Sequence, residues 1–163
     1  MLEQEKSLDA HEERVASDIA RSEGPRLLVI DDDNLHRMII CRVAAKAGYI
    51  PAGAATYDEA VKLAQEGAFD CITLDLSLGP HAGVEMLRHL WVIGCKAPII
   101  IISGCDDTVC RETASVARSL KQTVWESIPK PVDLAVLRES LERFKAECYD
   151  AAAVLRPVQV SAA

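Results

Sequence analysis

The chain has 163 residues, half of them hydrophobic, and a formal net charge of −7 at pH 7. This length suits one domain with a single core, and the charge argues against nucleic acid, whose phosphates are bound by clustered Lys and Arg. The sequence has neither the apolar segment of a signal peptide nor the ~20 apolar residues of a membrane-spanning helix, so we expect a cytoplasmic protein that does not bind membranes.

Residues 1–25 are predicted to form an acidic extension. They carry seven acids against three bases and close with Gly24-Pro25, a dipeptide typical of a boundary. Leu8, Val15 and Ile19 recur at helical intervals. A solvated helix is therefore expected, although the apolar stripe is too thin for a coiled coil.

Five short apolar runs are predicted to be strands, and a helical pattern follows each of them. The strands are expected at 26–30 (RLLVI), 49–54 (YIPAGA), 71–74 (CITL), 98–102 (PIIII) and 123–128 (TVWESI). The helices are expected at 34–46, 56–66, 83–93, from Val109 to Leu120 and from Leu134 to Cys148. The short β-branched run PIIII favours a strand buried on both faces. Alternating β and α elements are typical of a parallel sheet with helices on both sides.

Caps and one-sided apolar faces support these helices. Thr56 and Glu59 have the spacing of a capping box, Asp133 is a candidate N-cap, and glycines at 48, 67 and 94 are candidate helix stops. Helical spacing also gives the last two helices one apolar face each. These faces consist of Val109, Thr113, Val116 and Leu120 in the fourth helix and Leu134, Leu137, Leu141, Phe144 and Cys148 in the fifth.

The cysteines are expected to be reduced and structural. They stand at 41, 71, 95, 105, 110 and 148, without a C-x-x-C pair and without a histidine at ligand spacing. Several lie in apolar runs, where cysteine behaves as a small hydrophobe. Such thiols are typical of an intracellular protein.

Polar residues follow four of the five predicted strands. The first strand ends in Asp31-Asp32-Asp33, the third in Asp75, the fourth in Ser103, and the fifth in Lys130 between two prolines. In a doubly wound sheet, ligands bind at the carboxyl ends of the strands. These side chains are therefore expected to converge at one edge of the sheet.

The chemistry of this set favours phosphoryl transfer. Carboxylates gathered at a buried strand end repel one another, and Mg²⁺, which prefers oxygen ligands, would relieve that repulsion. A metal ion, the Lys130 ammonium and the Ser103 hydroxyl are groups that stabilise a transferring phosphoryl group, and a carboxylate can be its acceptor. Asp75 is the best candidate because it stands alone at its strand end. Taken alone, the aspartate triplet is also explained by a capped helix start, with Asp33 as the cap.

Four segments, in this order, resemble a known family: LLVIDDDNLHR, FDCITLDLSLGPHAGVEMLR, APIIIISG and IPKPVD. Over about 26–147 the chain resembles the receiver domain of two-component response regulators, which leaves 1–25 as an extension and 148–163 as a tail. The resemblance implies a flavodoxin-like α/β fold with five helices and five parallel strands in the order 2-1-3-4-5.

The resemblance also implies roles for the matching acidic residues. Asp75 would accept a phosphoryl group from the phosphohistidine of a histidine kinase or a histidine phosphotransfer protein. Asp32 and Asp75 would bind Mg²⁺ directly, together with the backbone carbonyl of Ser77, and Asp31 would assist through water.

Beyond the acids, Ser103 matches the family's switch hydroxyl and Lys130 matches the lysine that holds a phosphoryl oxygen. The resemblance also implies a cis peptide between Lys130 and Pro131. The chain departs from the family at Ser127, where an aromatic side chain often reports phosphorylation, and in the LGPHAG loop, which lacks the usual proline-acid pair. Pro129 removes a donor from the fifth strand, which is tolerable on the edge strand that the resemblance implies.

Some other residues are expected to have no metal-binding or catalytic role. His36 and His81 are expected to face the surface or a partner, and His89 is expected to be a solvated helix residue. Trp125 is expected to pack in the fold. Met38 on the first helix is expected to belong either to the core or to a kinase-docking surface.

Two other functions stay open. Asp31-Asp32-Asp33 also satisfies the D-x-D motif of haloacid-dehalogenase phosphatases, with Asp31 as nucleophile and Asp33 as acid/base, and with Ser103 and Lys130 in later motifs. That family has threonine where Leu35 stands, and no acidic metal-binding motif follows Lys130. The second alternative is a degenerate interaction module that is not phosphorylated.

The tail is too short for an output domain. We therefore expect a regulator, not an enzyme with a substrate of its own, that signals through protein–protein interaction or a phosphorelay. A homodimer is a further candidate assembly.

Overall fold

The structure is a computed structural model that describes residues 24–78, 83–104 and 107–154. Its strands are β1 Arg26–Ile30, β2 Ile50–Ala54, β3 Cys71–Asp75, β4 Ile99–Ser103 and β5 Val124–Pro129. Its helices are α1 Asn34–Lys46, α2 Tyr57–Glu66, α3 Gly83–Val92, α4 Asp107–Ser119 and α5 Leu134–Phe144, which continues through a π-helical turn, Lys145–Asp150, into α6 Ala151–Val154. The predicted helix of the extension, His81 and Cys105 lie outside the described residues.

The five strands form one parallel sheet in the order β2-β1-β3-β4-β5, which confirms the predicted fold class and strand order. All residues of β3 and of β4 are buried, because helices cover both faces of the central strands. The edge position of β5 explains why Pro129 is tolerated there: on an edge strand the missing N–H removes no bond to a further strand.

The sheet separates two apolar cores. Along β1, Leu28 and Ile30 pack into the core under α2, α3 and α4, whereas Leu27 and Val29 pack into the core under α1 and α5. Successive side chains of a strand point to opposite faces, so one continuous apolar run supplies both cores. This two-sided burial holds the carboxyl ends of β1, β3 and β4 in a fixed row.

The predicted helix caps and stops are present. Thr56 accepts a hydrogen bond from the Glu59 N–H at 3.2 Å, and Asp133 accepts one from the Ala135 N–H at 2.8 Å. Gly48 and Gly94 end α1 and α3 with φ angles of +87° and +76°, a region that favours glycine. At position 67, in contrast, φ is −130°, so that glycine ends α2 without the left-handed conformation.

Three positions of the two predicted apolar faces are exposed. Leu137, Leu141 and Phe144 are buried as predicted, but Leu134 is 44% exposed and Cys148 is also exposed. Leu134 begins α5 beyond the edge of the sheet, and Cys148 lies in the π-helical turn, whose wider repeat shifts the helical phase. Val109 is 38% exposed because it too lies in the first turn of its helix, α4.

The cysteines of the described segments are free thiols, namely Cys41, Cys71, Cys95, Cys110 and Cys148. Burial raises the pKa of Cys71 to about 12, so this thiol stays neutral and packs as a hydrophobe. Within the described ranges, no helix is both long and apolar enough to cross a membrane.

Candidate functional site

Three aspartates meet at the carboxyl edge of the sheet. Asp75 ends β3 and Asp31 follows β1, and these strands are neighbours with Ile30 paired to Leu74. One carboxylate oxygen each of Asp31, Asp32 and Asp75 lies within 4.8 Å of the others. Asp31 and Asp75 are 1% and 3% exposed, whereas Asp32 is exposed to solvent. The convergence predicted from the strand ends is therefore present.

Lys130 brings the positive charge to this cluster. Its Nζ lies 2.8 Å from Asp75 Oδ2 and 3.7 Å from Asp31 Oδ2. Burial works to lower the pKa of Lys130, but the hydrogen bond to Asp75 and the charges of the aspartates outweigh burial and raise it. A raised pKa keeps the ammonium charged throughout the neutral range, since an ordinary lysine already titrates near pH 10.4.

The backbone fixes Lys130 beside the end of β4. The Lys130 N–H donates to the carbonyl of Ser103 at 3.0 Å, and the peptide between Lys130 and Pro131 is cis, as expected. Ser103, only 5% exposed, ends β4 one residue after Ile102, which pairs with Asp75. The predicted switch hydroxyl therefore stands on the strand next to Asp75, and the predicted lysine follows β5, the strand beyond it.

The remaining predicted ligand, Ser77, lies two residues beyond Asp75. Its N–H donates to Asp75 Oδ1 at 2.9 Å. Together with Lys130 on Oδ2, this bond orients the Asp75 carboxylate from both sides. After Leu78 the chain continues with residues 79–82, which are outside the described segments.

Asp33, at the other side of the cluster, is a helix cap. Its carboxylate accepts a hydrogen bond from the His36 N–H at 2.8 Å, which confirms the capping interpretation. This backbone hydrogen bond holds the pKa of Asp33 below its usual value. A carboxylate at the start of a helix is also stabilised by the helix dipole. The position of the Asp33 carboxylate is therefore explained without a metal ion.

His36 contacts the cluster directly, contrary to the prediction of a surface role. Its Nδ1 makes a hydrogen bond to Asp31 Oδ2, and its side chain is only 20% exposed. On the other oxygen, Asp31 Oδ1 accepts the Asp33 N–H at 2.9 Å. The cap at Asp33 turns the first turn of α1 back over Asp31, an effect that helical periodicity does not reveal.

Sequence reasoning also missed Arg37. Its guanidinium donates to the carbonyl oxygen of Asp31 and to Asn34 Oδ1, both at 2.8 Å. The i, i+3 spacing of Asn34 and Arg37 on α1 was the available signal. These bonds tie the start of α1 to the loop that carries Asp31 and Asp32.

Two further predictions can be compared with the structure. His89 is not simply solvated, because its Nδ1 lies 2.6 Å from the hydroxyl of Tyr57. Trp125 packs as predicted, edge-to-face on Phe144 with ring centroids 5.3 Å apart. Ser127, which stands where the family often has an aromatic ring, is exposed.

A groove of about 390 Å³ opens beside the cluster. It is lined by Asp33, His36, Ile39, Lys130, Pro131, Val132 and Leu134. The groove lies between α1 and the segment that joins β5 to α5, and it opens beside the acidic edge of the sheet.

Comparison with known proteins identifies the family. The protein-family model of the response regulator receiver domain matches residues 27–142. The chain belongs to this family. The matched range lies within the predicted domain of 26–147, whose own ends stay a prediction.

The receiver family includes relatives of similar and of greater length. The chain is 30% identical over 121 residues to the chemotaxis protein CheY of Thermotoga maritima, an alignment that covers 74% of this chain and 97% of that protein. Other relatives are longer: at 28% identity over 129 residues, the alignment covers 79% of this chain and 28% of the transcriptional regulatory protein ZraR of Salmonella typhimurium.

Solved structures share the receiver fold. A response regulator from Colwellia psychrerythraea aligns with a TM-score of 0.65 at 26% identity, over 75% of this chain and 97% of that one. A response regulator from Burkholderia pseudomallei, solved with a phosphorylated aspartic acid, a calcium ion and citrate, aligns with a TM-score of 0.63 at 25% identity, over 83% of this chain and 76% of that one.

The aspartate cluster of this chain fits a metal ion. Receiver domains carry an aspartate cluster that can bind one, and here three carboxylates converge, two of them almost fully buried. Buried like charges are costly unless they are compensated, and an all-oxygen donor set is the kind that hard divalent cations prefer.

Proposed function

We propose that this receiver domain is a phosphoacceptor response regulator whose Asp75 takes a phosphoryl group from a histidine kinase or a histidine phosphotransfer protein. The observation that carries the proposal is the pairing of Asp75 with Lys130 at 2.8 Å, beside two further aspartates within 4.8 Å. Receiver domains as a family interact with such kinases and phosphotransfer proteins.

The transfer needs one nucleophile and a set of groups that accept charge. An oxygen of Asp75 forms the bond to phosphorus while the phosphorus–nitrogen bond of phosphohistidine breaks, and its electron pair stays on the imidazole nitrogen. Lys130 stabilises the charge on a phosphoryl oxygen, and Ser103 donates a hydrogen bond to another once the group is attached.

Mg²⁺ is the metal that this donor set suits best. Asp32, Asp75 and the backbone carbonyl of Ser77 would hold the ion, and Asp31 would assist through water. When bound, Mg²⁺ neutralises part of the charge that accumulates on the transferring phosphoryl group.

The proposed output is a change of partner binding or onward transfer of the phosphoryl group, not turnover of a separate substrate. Phosphorylation would shift the populations of two receiver states through Ser103. Hydrolysis of the acyl phosphate by the protein itself would then end the signal.

The decisive test is phosphoryl uptake by the full chain from acetyl phosphate with Mg²⁺. Intact-mass spectrometry should show the gain of one phosphoryl group, and beryllofluoride with Mg²⁺ should shift the NMR signals of the β4 and β5 ends. A chain that gains no phosphoryl group and does not respond to beryllofluoride would be the degenerate module instead.

The structure gives the hydrolase alternative no support. A haloacid-dehalogenase mechanism needs Asp33 as a mobile acid/base, but its carboxylate caps α1. It also needs Asp31 as nucleophile, but the Lys130 ammonium, which would neutralise the developing charge, lies 2.8 Å from Asp75 and 3.7 Å from Asp31.

The groove beside Lys130 is the proposed contact for the phosphoryl donor. Leu134, which lines the groove, is 44% exposed, and two exposed apolar side chains of α1, Leu35 at 61% and Met38 at 42%, directly precede its lining residues His36 and Ile39. Exposed apolar side chains beside a reactive group mark a protein contact. A phosphohistidine docked there would approach Asp75 from the open side of the cluster.

Substitution of one of these side chains should slow transfer from a protein donor only. We expect Leu35→Asp to reduce the phosphotransfer rate from a phosphorylated donor protein at least about tenfold, because it removes an apolar contact worth ~1.4 kcal/mol or more. Uptake from acetyl phosphate, which needs no docking, should change little. Gln65→Asp, which adds the same charge at an exposed position of α2, is the control. Equal loss in both variants would remove the groove from the docking surface.

The contact between His36 and Asp31 predicts a role in metal affinity. His36→Leu removes the donor and leaves Asp31 Oδ2 to turn toward Lys130 Nζ, 3.7 Å away. We expect Mg²⁺ binding, measured by calorimetry, to weaken roughly tenfold, as is typical for the loss of such an outer hydrogen bond. In His36→Asn the side-chain nitrogen stands the same number of bonds from Cα as Nδ1, so its affinity should stay near wild type. Unchanged or tighter binding by His36→Leu would contradict this positioning role.

A further inference from the structure

A large apolar surface lies at the end of the molecule away from the aspartate cluster. In the described part of the chain, Trp91 and Val92 are 54% and 71% exposed in the last turn of α3. The connection from α3 leads into the start of β4 at Ile99. The two side chains therefore stand at the amino edge of the sheet, opposite to the site. An exposed tryptophan of this kind marks a contact with another element or chain.

Two grooves flank this turn and join into one surface. The groove on the α2 side, about 410 Å³, is lined by Tyr57, Glu85, Arg88, His89 and Val92. The groove on the α4 side, about 360 Å³, is lined by Arg88, Trp91, Val92, Val116, Ser119 and Leu120. We call the part formed by Arg88, Trp91, Val92, Val116 and Leu120 the Trp91 surface. Grooves on both sides of a protruding side chain suit a helix laid across it.

The charges around the Trp91 surface indicate which kind of segment binds it. The exposed cations nearby are Arg88, Lys96, Arg118 and Lys121, and the groove on the α2 side is also lined by one exposed acid, Glu85. A second copy presenting the same face would bring these cations together, and like charges at an interface are unfavourable. The surface therefore fits an acidic helix with one apolar face better than it fits another copy of itself.

The chain itself contains a segment of this chemistry. Residues 1–23 carry seven acids and three bases, with Leu8, Val15 and Ile19 at helical spacing. Glu12 stands four residues after Leu8 and three before Val15, so a helix places it in the same stripe. We propose that residues 1–23 dock on the Trp91 surface, with the apolar stripe over Trp91 and Val92 and its acids toward the cations.

The attachment point allows this docking. The described chain begins at Gly24, just before β1 and at the same edge of the sheet as the end of α3. From β1 to β4 is two strand spacings, about 10 Å, and the helix layer lies about 10 Å out. The five residues from Ile19 to Gly24 span up to about 17 Å, which is enough to reach across.

The test uses the full chain labelled with 5-fluorotryptophan, whose two tryptophans give two ¹⁹F signals. The change of each signal between H₂O and D₂O reports solvent contact. We expect a small change for Trp91 in the wild type. The double variant Val15→Asp with Ile19→Asp should lower the docking equilibrium roughly 100-fold by removing two apolar anchors, which gives Trp91 the full solvent effect.

The double variant Ala10→Asp with Ser17→Asp is the matched control. It adds the same kind of charge on the opposite side of the stripe and should leave the Trp91 signal as in the wild type. Trp125, which packs on Phe144, is the internal reference for an intact fold. The proposal is overturned if Trp91 is already solvent-exposed in the wild type, or if the double variant leaves it covered. A covered Trp91 that becomes exposed only when a dimer dissociates would assign the surface to a second copy instead. None of these outcomes depends on phosphorylation of Asp75.

Discussion

Asp75→Asn should abolish phosphoryl uptake from acetyl phosphate. Asparagine has the shape of aspartate and can still accept the Ser77 N–H, which donates to Asp75 Oδ1 at 2.9 Å. It has no anionic oxygen to attack phosphorus, however. Asp31 does not replace it, because Lys130 Nζ lies 3.7 Å from Asp31 Oδ2 against 2.8 Å from Asp75 Oδ2. Intact-mass spectrometry after incubation with acetyl phosphate and Mg²⁺ measures the loss directly.

Asp33→Asn is the matched control for this experiment. It makes the same change of charge at the residue next to Asp32 of the cluster, and asparagine is as good a helix cap as aspartate. This variant should be phosphorylated at close to the wild-type rate. Persistent phosphorylation of Asp75→Asn, or its loss in Asp33→Asn, would show that the acceptor lies elsewhere. A hydrolase with Asp31 as nucleophile would keep its activity in Asp75→Asn.

The strands could be predicted from the sequence because burial leaves a local signal. The PIIII run is β-branched and apolar at every position after Pro98, as a strand covered on both faces must be, and β4 forms there. Strand order leaves no such local signal in the sequence. Alternation of strands and helices indicates a parallel sheet but not the order, which came from the family resemblance, and only Pro129 gave an independent sign that β5 lies at an edge.

The candidate site could be predicted because it depends on strand ends. Once β1 and β3 are neighbours, Asp31 and Asp75 must meet at the same edge, whatever their side-chain rotamers. The contact of His36 with Asp31 could not be predicted in this way. It depends on how the cap at Asp33 turns α1 over the strand end and on one rotamer, neither of which leaves a periodic pattern.

The ends of helices were the least predictable part of the fold. Leu134 fits the apolar stripe of α5 by spacing, yet it stands beyond the sheet beside the groove and is 44% exposed. Helical spacing shows which face of a helix is apolar but not how far the sheet beneath it extends. The same side chain that fails as a core residue thereby becomes part of the proposed docking surface.

Lys130→Met should change phosphoryl uptake and metal binding in opposite directions. Methionine keeps the apolar stem of lysine and removes its charge. The ammonium is 2.8 Å from Asp75 and 3.7 Å from Asp31, so its loss removes the group that would hold a phosphoryl oxygen. Loss of one positioned donor of this kind slows a reaction by about 10² to 10³. We expect that decrease in the rate of uptake from acetyl phosphate.

Metal binding should become tighter in the same variant. The Lys130 cation neutralises part of the aspartate cluster and repels a second cation, so its removal leaves three carboxylates with less compensation. Calorimetric titration with Mg²⁺ should therefore give a lower dissociation constant for Lys130→Met than for the wild type. Lys62→Met, which removes an equal charge from the exposed face of α2, should change neither quantity. Slower uptake together with weaker Mg²⁺ binding would indicate a collapsed site, and unchanged uptake would remove Lys130 from the transfer step. Only the opposed pair of changes shows that Lys130 serves the phosphoryl group and not the metal.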